Sequence, residues 1–195
     1  MAEVKTTGFP PTFLNAYINQ QLIDFNILSQ TSLALPAPFV PAQYPTNIED
    51  MYSDLISLSS QTGDGTEPTL IIYDRLMRFR PTPFYRNKRE QLIYFIYSTS
   101  VENLIGAVRV ITDALDREDA AAQDVNKWLM ENPITNIPTN VFFHNIRVYQ
   151  ADESRDVAEL ASARTLFVNK IIVEYDYHVK DTITIGGVSY QNPYT

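Results

Sequence analysis

Cysteine is absent from the 195 residues, so thiol catalysis, cysteine-ligated zinc and disulfide cross-links are excluded outright. Histidine is almost as rare. Only His144 and His178 occur, which leaves little material for a histidine-based metal site or a catalytic triad. Glycine numbers 6, and no phosphate-cradling loop, nucleophile elbow or zincin motif is present. Positive charge is in the minority: 15 Lys plus Arg stand against 23 Asp plus Glu, a net charge of −8, which argues against phosphate neutralisation as the main task. No stretch reaches the ~18 apolar residues of a membrane span. The opening MAEVKTTGFPPTFL has no basic region followed by an apolar core, so no signal peptide is expected.

Against these gaps stand 12 Pro, 12 Tyr and 10 Phe, with 45% apolar and 19% charged residues overall. That composition supplies a hydrophobic core and fits a single folded domain with an appendage. Half the prolines (Pro10, Pro11, Pro36, Pro38, Pro41 and Pro45) precede residue 46. At that density the backbone is expected to stay extended. Because Leu33, Leu35, Phe39, Val40 and Tyr44 are interleaved with them, residues 1–46 read as an arm lying on a surface, with a short helix between Tyr17 and Leu28.

A core is expected over residues 47–180. Thr46 or Asn47 caps a helix running to Ser59, and Ser60 to Gly65 form a turn. Thr69 to Arg80 is a strand stopped by Pro81-Thr82-Pro83, and Gln91 to Ser98 is a second, whose near-continuous apolar run indicates burial on both faces. Ser98 or Ser100 then caps a helix with Val101, Leu104, Ile105, Val108, Ile111 and Leu115 on one side. Asp119 to Glu131 forms another helix, in which Trp128, Leu129 and Met130 pack in the core or at its rim. Val141 to Gln150 and Arg164 to Val179 are strands, separated by a polar stretch, Ala151 to Ser162, that carries a helical turn. Residues 181–195 read as a terminal hairpin turning at Gly186-Gly187. The expected class is α+β: a mixed or antiparallel sheet of about four strands, with helices on one face, a proline-rich N-terminal arm and a C-terminal hairpin.

Three groups of residues invite a functional reading. Glu174, Asp176 and His178 alternate along one strand and project from one face about 7 Å apart. Such donors could hold a divalent metal. They are also the solvated positions of an amphipathic strand, and without a second histidine in the sequence nearby the plainer reading is adopted. Asp113, Asp116, Glu118 and Asp119 crowd the C-terminal end of a helix, where Arg117 offsets part of their conflict with the macrodipole. Arg75, Arg78, Arg80, Arg86, Lys88 and Arg89 hold six of the 15 basic residues, with Asp74 beside them. They are expected to meet acidic surface on an identical neighbour, with Asp152, Glu153, Asp156 and Glu159 as the complementary patch. The alternative for the basic run is a charged strand edge that discourages aggregation.

The succession TLIIYDRLMRFRPTPFYRNKRE, LIYFIYSTSVENLIGAVRVITDAL and FFHNIRVYQADESRDVAELASARTLFVNKIIVEYDYH resembles the tail-terminator and tail-sheath completion and stabilisation proteins of contractile-tailed bacteriophages. The likeness covers Thr69 to His178, with Pro83-Phe84 and an Ile-Tyr pair, Ile93-Tyr94 or Ile96-Tyr97, as anchors. It implies a virion structural protein rather than an enzyme: a homo-oligomeric ring of six subunits at the head-tail junction, assembled in the host cytoplasm. Its implied partners are the tail tube or sheath protein and neck or connector proteins, with genomic DNA passing without specific binding, no membrane and no cofactor. A neck or head-completion adaptor is the nearest alternative, and a small metal-dependent hydrolase using Glu174, Asp176 and His178 is the alternative from another class.

Overall fold

A computed structural model of the chain describes residues 10–25, 39–40, 71–78, 88–98, 100–117, 120–134, 141–151, 156–159, 165–179, 182–185 and 188–191. The elements are α1 (Pro10–Asp24), β1 (Phe39–Val40), β2 (Ile71–Arg78), β3 (Lys88–Ser98), α2 (Val101–Leu115), α3 (Ala120–Glu131), β4 (Val141–Ala151), β5 (Asp156–Glu159), β6 (Thr165–Val179), β7 (Thr182–Ile185) and β8 (Val188–Gln191). The class is α+β. The helix expected to end at Ser59, the turn after it and the Pro81–Pro83 bend lie outside the described residues.

The main sheet runs β1-β2-β3-β6-β4, with β5 also paired to β6. Only β1–β2 is parallel. Residues of β6 that pair with β3 on one side pair with β4 or β5 on the other, for example Ile171 with Tyr94 and Ala151, and Val168 with Tyr97 and Asp156. The count is therefore six strands rather than about four. The two extra strands, of 2 and 4 residues, are too short to leave a periodic signature. Within Ala151–Ser162, where a helical turn is expected, Asp156–Glu159 is strand instead, and residues 152–155 and 160–162 lie outside the described residues. An open edge of β6 offers the backbone of Asp156–Glu159 a ladder of hydrogen bonds, which an isolated turn cannot match.

The N-terminal region departs further from expectation. The helix begins at Pro10 rather than near Tyr17, and Pro10 and Pro11 occupy its first turn. There the missing N–H groups have no intrahelical acceptor to lose and the fixed φ already suits the helix. Phe13, Leu14, Tyr17, Ile18 and Leu22 are buried in the same core as the sheet, so residues 10–24 belong to the core and not to a surface arm. Tyr17 meets Trp128 of α3 edge to face at 5.7 Å, and Tyr94 Oη donates to Asn15 Oδ1 at 3.1 Å.

α2 lies across β3, β6 and β4. Its buried Leu104, Ala107, Ile111, Ala114 and Leu115 recur at helical spacing. Ser100 is its N-cap, accepting from the Asn103 N–H at 3.4 Å, while Ser98 closes β3 and accepts from the Ser100 N–H at 3.0 Å. Beyond the helix Arg117 Nε donates to the Asp113 carbonyl at 3.0 Å and faces Asp124 of α3 at 3.6 Å. Glu118 and Asp119 lie outside the described residues.

α3 packs on β4 through a polar residue. Asn126, 7% exposed, donates from Nδ2 to the Phe143 carbonyl at 2.7 Å and accepts the Phe143 N–H at Oδ1 at 3.0 Å. The side-chain amide thus stands where a further strand would bond, satisfying a buried edge. β7 and β8 pair antiparallel as a separate two-stranded sheet. No helix of the described residues is long and apolar enough to cross a membrane.

Candidate functional site

Strand alternation on β6 separates two chemistries. Ile171, Val173, Tyr175 and Tyr177 are buried toward the helices, while Lys170, Glu174, Asp176 and His178 occupy the opposite, open face. Flanking strands complete that face by register. Gln91 and Arg89 of β3 stand opposite Glu174 and Asp176, and on the other side Arg147 stands opposite Glu174 and Phe142 opposite His178.

β4 does not alternate regularly. Its register slips between Phe143 and Asn145, so that His144 is an extra residue. Without the slip, Phe143 and Ile146 would point to opposite faces. With it, both are buried at 1% and 0% exposure, and His144 is left on the surface beside β6. A second slip, between Val148 and Gln150, leaves Tyr149 70% exposed.

On the open face Asp176 and Glu174 find partners on β3 of the same chain. Arg89 grips Asp176 with two hydrogen bonds, Nε to Oδ1 at 2.7 Å and Nη2 to Oδ2 at 2.8 Å, and lies 3.8 Å from Glu174. Gln91 Nε2 donates to Glu174 at 3.3 Å. The hydrogen bond to Asp176 and then its charge push the Arg89 guanidinium above its ordinary range, so it stays a cation throughout. The two-pronged geometry favours this pair, but Arg89 is 54% exposed and solvent screens most of the attraction. Further along the same face His144 Nε2 lies 2.5 Å from His178 Nδ1.

The helix-facing side holds a different polar group. Glu90 accepts from Tyr175 Oη at 3.0 Å and from Tyr177 Oη at 3.1 Å. Burial, followed by the Glu90 charge, pushes the Tyr175 phenol up, which keeps it a proton donor. Burial likewise raises Tyr17, with Asp124 adding to the effect.

The residues expected to contact a neighbour are distributed as follows. Arg75 and Arg78 sit on β2 opposite Ile93 and Glu90. Lys88 and Arg89 begin β3, exposed. Asp156 and Glu159 lie on β5 opposite Val168 and Thr165. Arg80, Arg86, Asp152 and Glu153 lie outside the described residues. For Arg89 the acid it meets belongs to its own chain. Glu174, Asp176 and His178 do share a face, yet among the described residues no group of three or more His, Asp or Glu is disposed to hold a metal ion. Arg89 and Gln91 of β3 hold the two carboxylates.

Sequence reasoning missed Asn126, whose position on a helix reads as polar surface, and Glu90, whose partners come from β6, 85 and 87 residues away. It also missed the meeting of the histidines, because the bulge that exposes His144 leaves no local signal beyond the failure of alternation between Phe143 and Ile146. The chain matches no family model and no curated protein.

Proposed function

We propose that the protein is a virion structural subunit that forms a six-membered ring terminating the tail tube or sheath of a contractile-tailed bacteriophage, at the junction with the neck. The observation that carries this reading is the coincidence of the resemblance with the architecture. Residues 71–179, which bear the likeness, run strand, strand, helix, helix and then paired strands in one α+β unit. Two carboxylates of its open face, Asp176 and Glu174, are held by Arg89 and Gln91 of the same chain, which suits a scaffold.

Further features favour assembly. The β7–β8 hairpin is a two-stranded sheet of its own, and such a hairpin gains stability by leaning on another surface. A closed ring joins two different patches of each subunit, and separate basic and acidic stretches along one chain provide such a pair.

The experiment is the mass of the purified protein by native mass spectrometry and light scattering, alone and with isolated tail tubes. A hexamer, or a monomer that becomes six copies at a tube end, is expected. A strict monomer that never joins tubes overturns the reading.

A further inference from the structure

His144 and His178 are 34 residues apart in sequence, and the pairing of β4 with β6 sets them ring to ring. Their centroids are 4.6 Å apart with planes inclined by 26°. Rings lying face on face cannot bring atoms closer than about 3.5 Å. A nitrogen–nitrogen distance of 2.5 Å therefore means that the rings meet edge to edge. His144 Nε2 and His178 Nδ1 are aimed at one another. The ring of Phe142 flanks both, with centroids at 5.5 and 5.4 Å.

We infer that His144 and His178 form a two-imidazole site for a late first-row divalent transition metal ion such as Zn2+ or Ni2+. Neutral imidazole nitrogen suits these ions. An ion about 2.0–2.1 Å from each nitrogen at a tetrahedral angle needs them roughly 3.3 Å apart. That opening is less than an ångström beyond the present separation, and side-chain rotation at an exposed position supplies it. Water completes the coordination. Glu174 and Asp176 are not ligands, since Gln91 and Arg89 hold them. Along β6 the neighbours of His178 on the same face are the carboxylates Asp176 and Glu174, a set that suits hard cations. The neighbouring strand replaces them with a second imidazole and changes the class of ion. This inference is independent of the ring assembly.

The test is calorimetric titration of the full chain with zinc and nickel chlorides at neutral pH, together with NMR of the imidazole nitrogens. One ion per chain is expected, with signals of both His144 and His178 shifted or broadened. His144→Ala and His178→Ala should each weaken binding by at least about tenfold, because losing even an outer-sphere partner of a metal site costs that much. Arg147→Ala, on the same face, should bind as the wild type does. Unchanged affinity in either histidine variant overturns the inference. So do wild-type imidazole signals that stay in place under about a tenfold molar excess of both ions, a result that needs no variant to fold.

Discussion

Along β6 the odd-numbered residues from Ile171 to Tyr177 lie under the helices, and the even-numbered ones from Lys170 to His178 lie on the open face. The covered side is apolar apart from phenols, and their hydroxyls are satisfied by Glu90. The open side carries charge, and its carboxylates Asp176 and Glu174 are held across the strands by Arg89 and Gln91. The same backbone ladder thus separates two kinds of stabilisation. Burial of apolar area acts at full strength beneath the helices. Ion pairing in solvent contributes little even when its geometry is good.

Phe142 and Phe143 test that difference with two identical side chains on adjacent positions. Phe143→Ala empties a site that is 1% exposed and should cost about 3–5 kcal/mol, whereas Phe142→Ala, on the partly exposed face, should cost about 1 kcal/mol. Urea denaturation of the two variants measures the gap, and equal losses would break the contrast between the faces. Asn126→Ala should follow at about 2–4 kcal/mol, because it leaves the buried N–H and carbonyl of Phe143 without partners. A loss below 1 kcal/mol in the same assay would mean that water replaces the amide. The smallest effect belongs to the open face. Arg89→Gln should cost no more than about 1 kcal/mol at low salt. In about 1 M salt the difference from wild type should vanish, since the Debye length there is about 3 Å. A salt-independent loss would show that Arg89 acts by packing its stem.

How much of this was legible depended on the length of each element and the distance to its partner. α2 could be read from its cap and apolar stripe because all of its determinants lie within one segment, from Ser100 to Leu115. β6 could be read from its alternation. β1 and β5 could not, since two or four residues carry no period and form only because a longer strand offers its edge. The helical start at Pro10-Pro11 is not legible because proline density is ambiguous: the residue that breaks a helix interior is well tolerated in its first turn. Only packing of Phe13, Leu14 and Ile18 against the sheet settles which role applies. Of the candidate site, the shared face of Glu174, Asp176 and His178 was visible in the spacing, and their partners Arg89, Gln91 and His144 were not.

What the sequence determined by itself was local and compositional. The absence of cysteine, the acidic balance, the α+β class and the two faces of β6 follow from residue type and from the periods of helix and strand. Tertiary structure alone decided which face the helices cover, that Arg89 turns to its own Asp176, that Asn126 closes the edge of β4, and that the chain's two histidines touch. Those outcomes hang on strand register and on a one-residue bulge. A shift of a single residue moves a side chain to the other face of a sheet, and the choice among registers is made by contacts between segments far apart in the chain.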